Sequence, residues 1–137
     1  MTSPQEWVSS AVRPTDFDAF WSETLTSAES LPLDASFKHD QMRSTPEIDV
    51  FDVRYTSYSG LRIAGWLCKP VGGGPFPGLV IVPGYVSEPQ VPKQWAAMGY
   101  AAFGVAPRGK LRSNAEFNPG YPGLLMHNIL DRENYAY

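Results

Sequence analysis

The spacing of apolar residues near the start of the chain predicts an amphipathic helix over residues 15–28. Phe17, Phe20, Trp21 and Leu25 recur at intervals of three and four, which places them on one helical face. Thr15 and Asp18 have the spacing of a capping box and would begin this helix. We expect the aromatic stripe to pack on a core rather than to bind a ligand.

In the middle of the chain, the spacing of apolar residues becomes typical of β-strands. Residues 32–46 are mixed in polarity and predict an irregular surface connection. Apolar residues then alternate over 48–58 with one slip in phase, which is typical of a bulged or twisted strand. A turn at 58–60 leads to a second alternating stretch at 61–67, so the two strands are expected to form an antiparallel hairpin.

Two continuous apolar runs follow, at 79–82 and 100–106, with a short helical segment between them. Continuity rather than alternation predicts strands that are buried on both faces. The helix is predicted near 91–98, ending at Gly99. This order is a β-α-β unit with a parallel pair, and with the hairpin it predicts an α/β fold whose sheet, over about 48–106, is mixed and mostly parallel.

Composition narrows the classes of function. The 137 residues suffice for one domain, and a net charge of −3 gives no general reason to bind nucleic acid or an anionic membrane. The first residues lead into no apolar stretch, so a cytoplasmic protein without a membrane anchor is expected. The single cysteine, Cys68, lies in a strand-like context and is expected to be buried and structural.

Several motifs, taken together, resemble one family. Residues 16–21 (DFDAFW) and 56–67 (TSYSGLRIAGWL) are similar to the first helix and the hairpin of the acetyl xylan esterase and cephalosporin C deacetylase family, an α/β-hydrolase family. Further similarities follow in the same order, at 82–85 (VPGY), 107–110 (PRGK), 120–123 (GYPG) and 128–131 (NILD), with Tyr135 and Tyr137. The resemblance covers nearly the whole chain.

The resemblance implies a serine esterase that removes acetyl groups from acylated sugars or related small esters, with no cofactor or metal. It assigns the oxyanion-hole donor to the main-chain N–H of Tyr85, while Gly84 permits the tight backbone and both residues border the substrate. Pro83 departs from the family, which usually has histidine there, so the hydrogen bonds of that histidine are in doubt. A plain Pro-Gly turn is the alternative interpretation of this segment.

The catalytic serine, aspartate and histidine that the resemblance implies are not found in this sequence. No serine has glycine at both −2 and +2, as a nucleophile elbow requires, and Ser87 comes nearest to an active-site position. His39 and His127 are expected to be structural. A basic cluster at Arg108, Lys110 and Arg112 would suit an anionic ligand, but a structural role is favoured. The glycines at 72–74 lack the residues of a phosphate-binding loop.

The sequence therefore predicts the N-terminal part of an α/β-hydrolase domain, one incomplete domain over 1–137 that is inactive alone. Without later strands its apolar segments would have uncovered faces, so self-association or pairing with a missing C-terminal part is expected, and the family forms ring-like homo-oligomers. The rival hypothesis is a non-catalytic truncated product or interaction module. A third is a small esterase assembled from several copies around Ser87.

Overall fold

The computed structural model describes residues 8, 10–84, 87–113, 115, 129–131 and 133. The chain divides into two compact units, residues 1–30 and 31–137. In the first unit a helix, α1, runs over Phe17–Glu29. Within its described residues, the second unit has five strands and a short α-helix, namely β1 (Ser36–His39), β2 (Ile48–Thr56), β3 (Arg62–Pro70), β4 (Gly78–Ile81), α2 (Lys93–Ala97) and β5 (Ala101–Ala106). No helix in the described ranges is long and apolar enough to cross a membrane.

Helix α1 forms where its apolar spacing predicts it, but its first turn differs from the prediction. Asp16 is the N-cap residue and makes no side-chain capping bond, so the capping box of Thr15 and Asp18 is wrong. Asp18 instead pairs with the guanidinium of Arg13. None of the residues of α1 is buried, and Trp21 is 47% exposed. The expectation that the aromatic stripe packs on a core stays a prediction, since the helix lies in a unit separate from the sheet.

The β2–β3 hairpin is confirmed as antiparallel, with nine consecutive residue pairs from Ile48↔Pro70 to Thr56↔Arg62. This unbroken register contains no bulge, so of the two interpretations of the slip in phase, a bulged or a twisted strand, the bulge is wrong. The slip has another cause. Val50 and Val53 lie an odd number of residues apart, which puts them on opposite faces of the strand, and both are buried. Strand β2 is therefore covered on both sides at different points.

Part of the predicted irregular connection at 32–46 is in fact a strand. Residues Ser36–His39 form β1 and pair antiparallel with β2. All four residues of β1 are exposed, which is why no alternation of buried and exposed positions marks it in the sequence. The sheet consequently begins earlier in the chain than the predicted residue 48.

The predicted β-α-β unit is present, and β4 and β5 are parallel neighbours. Across the described residues the sheet order is β1-β2-β3-β5-β4, and the sheet is mixed because its other three pairings are antiparallel. Strand β4 lies at an edge of this sheet, and Val80 is 66% exposed. The prediction that β4 is buried on both faces is therefore wrong for the described residues, because no described strand or helix covers the outer side of Val80.

The main core lies between α2 and one face of the sheet. It consists of Val50, Trp66, Cys68 and Ala96, with Ile48 and Val91 packed against it. Cys68 is fully buried, as predicted, and burial raises the pKa of its thiol to about 11. This core fixes α2 against β2 and β3. Residues of α2 also line a cavity together with the loop that leaves β4.

Candidate functional site

The loop that follows β4 is the segment to which the sequence assigns the oxyanion hole. Parallel strands place their following loops at one edge of the sheet, and β4 and β5 are such a pair, so the loops after them are neighbours. Gly84 lies in the first of these loops and is exposed. Tyr85, the predicted donor, lies outside the described residues, and its role stays a prediction.

A cavity of about 380 Å³ opens beside this loop. Its wall combines apolar groups from β4 and α2 with polar side chains from the loop and from α2. Its lining includes Ile81, Gly84, Ser87, Glu88, Gln94 and Trp95. Concave sites with an apolar wall and a few polar groups are where small molecules bind to proteins. The size and position of the cavity suit a small ester beside the predicted oxyanion loop.

Ser87 closes the loop on itself. Its hydroxyl donates a hydrogen bond of 3.2 Å to the carbonyl oxygen of Gly84, and a Cβ added to Gly84 would lie 3.3 Å from the same hydroxyl. A Cβ at position 84 would thus be in close contact with that hydroxyl, and the predicted role of Gly84 in a tight backbone stays a prediction. This hydrogen bond gives Ser87 a structural role in the loop.

The histidine that the structure describes, His39, is not placed to activate Ser87. Strand β1, which carries His39, lies at the opposite edge of the sheet from β4. His127 lies outside the described residues. A serine nucleophile needs a base within hydrogen-bonding reach, and His39 cannot supply it from the far edge. The hypothesis of an esterase centred on Ser87 therefore receives no support from the position of His39.

His39 belongs instead to a small polar cluster with Ser44 and Asp49, which sequence reasoning did not anticipate. Its Nε2 lies 3.1 Å from Ser44 Oγ and 3.3 Å from Asp49 Oδ1. A catalytic triad uses the two different ring nitrogens, one for the serine and one for the carboxylate. Ser44 Oγ also donates to the Asp40 carbonyl and accepts from the Val50 amide. The cluster thus holds the β1–β2 connection and is not a triad.

The basic cluster after β5 has the structural role that the sequence favours. The guanidinium of Arg112 lies 3.8 Å from the Trp66 ring centroid and donates to the Gly65 carbonyl at 2.9 Å. It also lies 2.5 Å from Asp52 Oδ1, an ionic contact without the alignment of a hydrogen bond. Arg54 in turn donates to the carbonyl of Arg112. Arg108 likewise has interactions within the fold.

Lys110, the third member of the cluster, is only 6% exposed, and its Nζ donates to the Gly84 carbonyl oxygen at 3.2 Å. The next residue, Leu111, donates its N–H to Glu88 Oε2 at 3.1 Å. Two consecutive residues of the loop after β5 thus hold the two sides of the segment 84–88. Sequence reasoning did not single out Glu88, because no local pattern reveals a contact across 23 residues.

The profile of the acetyl xylan esterase (AXE1) family matches residues 2–137. The chain belongs to the acetyl xylan esterase family. This membership confirms the resemblance found in the sequence, and the loop described above is therefore the post-β4 loop of a member of this family. The match to residues 2–137 also includes Tyr85 and the other residues that the structure does not describe.

Individual relatives agree with the family. The chain is 26% identical over 134 residues to the acetyl esterase Axe7A of Xylanibacter ruminicola, covering 89% of this chain and 30% of that protein. Among solved structures it is similar to an acetyl xylan esterase from Paenibacillus sp. R4, with 33% identity, a TM-score of 0.71, and 77% of this chain and 35% of that chain covered.

A second solved structure gives the same result. Acetyl xylan esterase 1 from Thermoanaerobacterium sp. JW/SL YS485 matches with a TM-score of 0.65 and 25% identity, over 71% of this chain and 31% of that one. The chain spans about a third of the length of these relatives. The acetyl xylan esterase family and the α/β-hydrolase type of fold are thereby established for this segment.

Proposed function

We propose that this chain supplies the oxyanion-hole side of a serine esterase. The esterase removes acetyl groups from acylated sugars or from related small esters, and cephalosporin C is one of those small esters. The observation that carries the proposal is the loop after β4, which borders a cavity of about 380 Å³ in a chain of the acetyl xylan esterase family. The names of the relatives support acetyl esters as substrates. A cytoplasmic location and self-association belong to the same proposal.

The proposed mechanism uses the backbone of the loop. A serine attacks the acetyl carbonyl, and the carbonyl oxygen gains negative charge as the tetrahedral intermediate forms. The N–H of Tyr85 is the proposed donor to that oxygen. In the hydrolase pattern the nucleophile belongs to a Gly-x-Ser-x-Gly elbow, which these 137 residues do not contain. We accordingly propose that the 137-residue chain by itself does not turn over esters.

Hydrolysis of p-nitrophenyl acetate tests both parts of this proposal. The natural protein that carries this sequence is expected to hydrolyse the ester and to form one serine adduct with a phosphonate, located by mass spectrometry. The 137-residue chain is expected to do neither. Saturable turnover by that chain with one labelled serine would overturn the assignment of the nucleophile to another segment.

The donor itself can be tested by removing one N–H group. Tyr85→Pro deletes the amide hydrogen, whereas Tyr85→Ala keeps it and removes only the ring. Loss of one oxyanion donor lowers kcat by about 100- to 1,000-fold, so the proline variant is expected to fall that far. The alanine variant is expected to keep most of kcat. Equal losses in both variants would argue against a backbone role for Tyr85.

One observation favours the alternative, a non-catalytic interaction module. Strand β4 forms an edge of the described sheet, and Val80 and Val82 are 66% and 68% exposed. An exposed apolar edge strand can pair with another polypeptide. Sedimentation of the 137-residue chain distinguishes the interaction module from the esterase segment. A module of this kind is expected to self-associate through β4, and Val80→Lys is expected to make it monomeric. A natural protein without esterase activity would then favour the module.

A further inference from the structure

Glu88 is the charged group in the wall of the cavity beside the loop that leaves β4. Every other described residue that lines this cavity is neutral, including Gln94 on the opposite wall in α2. The side chain of Glu88 is exposed, so its carboxylate is open to a molecule that enters from solvent. A ligand in the cavity therefore meets a negative charge at its wall.

The carboxylate of Glu88 is held in place by one of its two oxygens. Its Oε2 accepts the N–H of Leu111 at 3.1 Å. Leu111 begins a short turn that ends at Ser113, whose buried hydroxyl accepts from the Ala64 amide and donates to the Ala106 carbonyl. Within the described part of the chain no donor contacts the other oxygen, Oε1. One oxygen thus anchors the side chain, and the other can accept a hydrogen bond from a ligand.

Two lysines lie near the cavity, but neither belongs to its wall. The ammonium of Lys110 is directed at the Gly84 carbonyl oxygen, and the residue is only 6% exposed. Burial raises the pKa of the Cys68 thiol and the charge of Lys93 opposes this rise, so that charge acts on the core between α2 and the sheet. Among the described residues, none forms an ion pair with Glu88. The negative charge at the wall therefore has no cation beside it in the lining.

A carboxylate in this position distinguishes between neutral and anionic carriers of an acetyl group. A neutral sugar presents hydroxyl groups, and a hydrogen bond that a hydroxyl donates to an ionised acceptor is about twice as strong as one between neutral groups. A carrier that bears a carboxylate brings a second negative charge towards Glu88. Repulsion between two partly exposed charges corresponds to about a two- to fivefold change in an equilibrium constant. The wall therefore favours the neutral carrier.

We propose that Glu88 is a specificity-determining residue of the candidate site, which selects acetylated neutral sugars and disfavours carriers that bear a carboxylate. This inference rests on the proposed function and narrows its substrates to one class. Oε1 of Glu88 accepts a hydroxyl group of the carrier, while the hydrogen bond from Leu111 holds the carboxylate at the wall. Glu88 takes no part in the transfer of the acetyl group itself.

Acetate release from two matched sugars by the natural protein tests the selection. A mono-acetylated methyl glucuronoside carries a carboxylate, and its uronamide is neutral and nearly the same size. The wild type is expected to favour the amide in kcat/KM, and Glu88→Gln is expected to lower this preference by about two- to fivefold. The glutamine keeps an acceptor for Leu111 but has no charge. Glu47→Gln, which changes the net charge equally at an exposed position before β2, is expected to keep the wild-type ratio.

Salt and a second variant give independent measurements. The Debye length is about 3 Å at an ionic strength of about 1 M, so the preference of the wild type for the amide is expected to shrink as salt is raised to that value. The ratio in Glu88→Gln is expected to respond less. Glu88→Ala removes both the charge and the acceptor, and its kcat/KM for the amide is expected to fall below that of Glu88→Gln.

The outcomes separate the inference from the proposed function. A wild-type protein that hydrolyses neither p-nitrophenyl acetate nor the two sugars would overturn the proposed function, and the inference with it. An active wild type whose ratio is unchanged in Glu88→Gln would overturn the inference alone. Equal losses on both sugars in that variant would leave Glu88 only its contact with Leu111 and would also overturn the selection. If Glu88→Gln does not fold, the salt dependence of the wild-type ratio decides, and a ratio that salt does not change would overturn the inference.

Discussion

The ring of Phe103 occupies the space that a side chain at position 65 would take. A Cβ built on Gly65 would lie 2.3 Å from two carbon atoms of that ring and 3.1 Å from the Gly104 carbonyl oxygen. Gly65 is in the middle of β3, and Phe103 is in the neighbouring strand β5. The glycine is therefore required by the packing of the two strands rather than by a turn.

Gly65→Ala is accordingly expected to destabilise the fold. The added methyl group forces the Phe103 ring to move and strains both strands, which costs about 1–3 kcal/mol in the free energy of unfolding. Chemical denaturation measures the loss. Phe103→Leu in the Gly65→Ala background is expected to recover part of it, and Gly73→Ala, where a Cβ meets open space, is the control. An unchanged midpoint in Gly65→Ala would contradict this contact.

Arg112 is expected to contribute far more to stability than Arg43, although both guanidinium groups lie over the ring of Trp66. Arg112 is the closer of the two, at 3.8 Å against 4.9 Å, and its side chain is 20% exposed against 47%. Arg112→Ala also leaves the Gly65 carbonyl and Asp52 with one partner fewer, so a loss of about 1–3 kcal/mol is expected. Arg43→Ala is expected to lose clearly less in the same denaturation experiment, and equal losses would contradict this ranking.

The parts of the fold that the sequence predicts correctly are those with a strong local pattern. The hairpin, α2 and the parallel pair β4–β5 all follow from apolar spacing within short stretches. Strand β1 could not be found in this way, because its four exposed residues form a strand only by pairing with β2. The supposed bulge in β2 arose because Val50 and Val53 are buried on opposite faces, which alternation alone does not distinguish from an inserted residue.

For the candidate site, the sequence predicts only the residues of the motif at 82–85 (VPGY). The resemblance points to Gly84 and Tyr85 because their neighbours match a family pattern, and their role stays a prediction. The charge pattern favours a structural role for the basic cluster, which the contacts of Arg112 and Lys110 confirm. The contacts of Lys110 with Gly84 and of Leu111 with Glu88 join residues more than 20 positions apart. Their pairing depends on the parallel placement of β4 and β5, which brings the two loops together, and a single sequence carries no local signal for it.

The stability of the sheet unit is expected to fall in acid partly through Asp49. A hydrogen bond from the Lys69 ammonium, together with its charge and a contact with His39, holds the pKa of Asp49 below its ordinary value. A carboxyl whose pKa is lower in the folded state stabilises that state above the unfolded pKa of about 3.9, and this stabilisation disappears as the pH falls through the folded value.

Asp49→Asn tests this linkage. The variant is expected to melt at a lower temperature than the wild type at pH 6, and the difference is expected to shrink as the pH falls below about 3.9. Thermal unfolding at several pH values measures it, with Asp34→Asn as the control, since the Asp34 side chain is 80% exposed. A difference that stays constant down to pH 2 would show that Asp49 acts through packing rather than through its charge.

Cys68 is expected to report on the integrity of the core between α2 and the sheet. Its side chain is fully buried beside Val50 and Ala96, and burial raises the pKa of the thiol to about 11, so thiolate is scarce at pH 8. Ellman's reagent is expected to leave it unreacted in the folded chain and to titrate one thiol in guanidinium chloride. Leu111→Cys, at a 70% exposed position, is the control and is expected to add one fast-reacting thiol. Rapid labelling of Cys68 itself would mean that α2 separates readily from the sheet, and the loop after β4 would then lack the support on which its geometry depends.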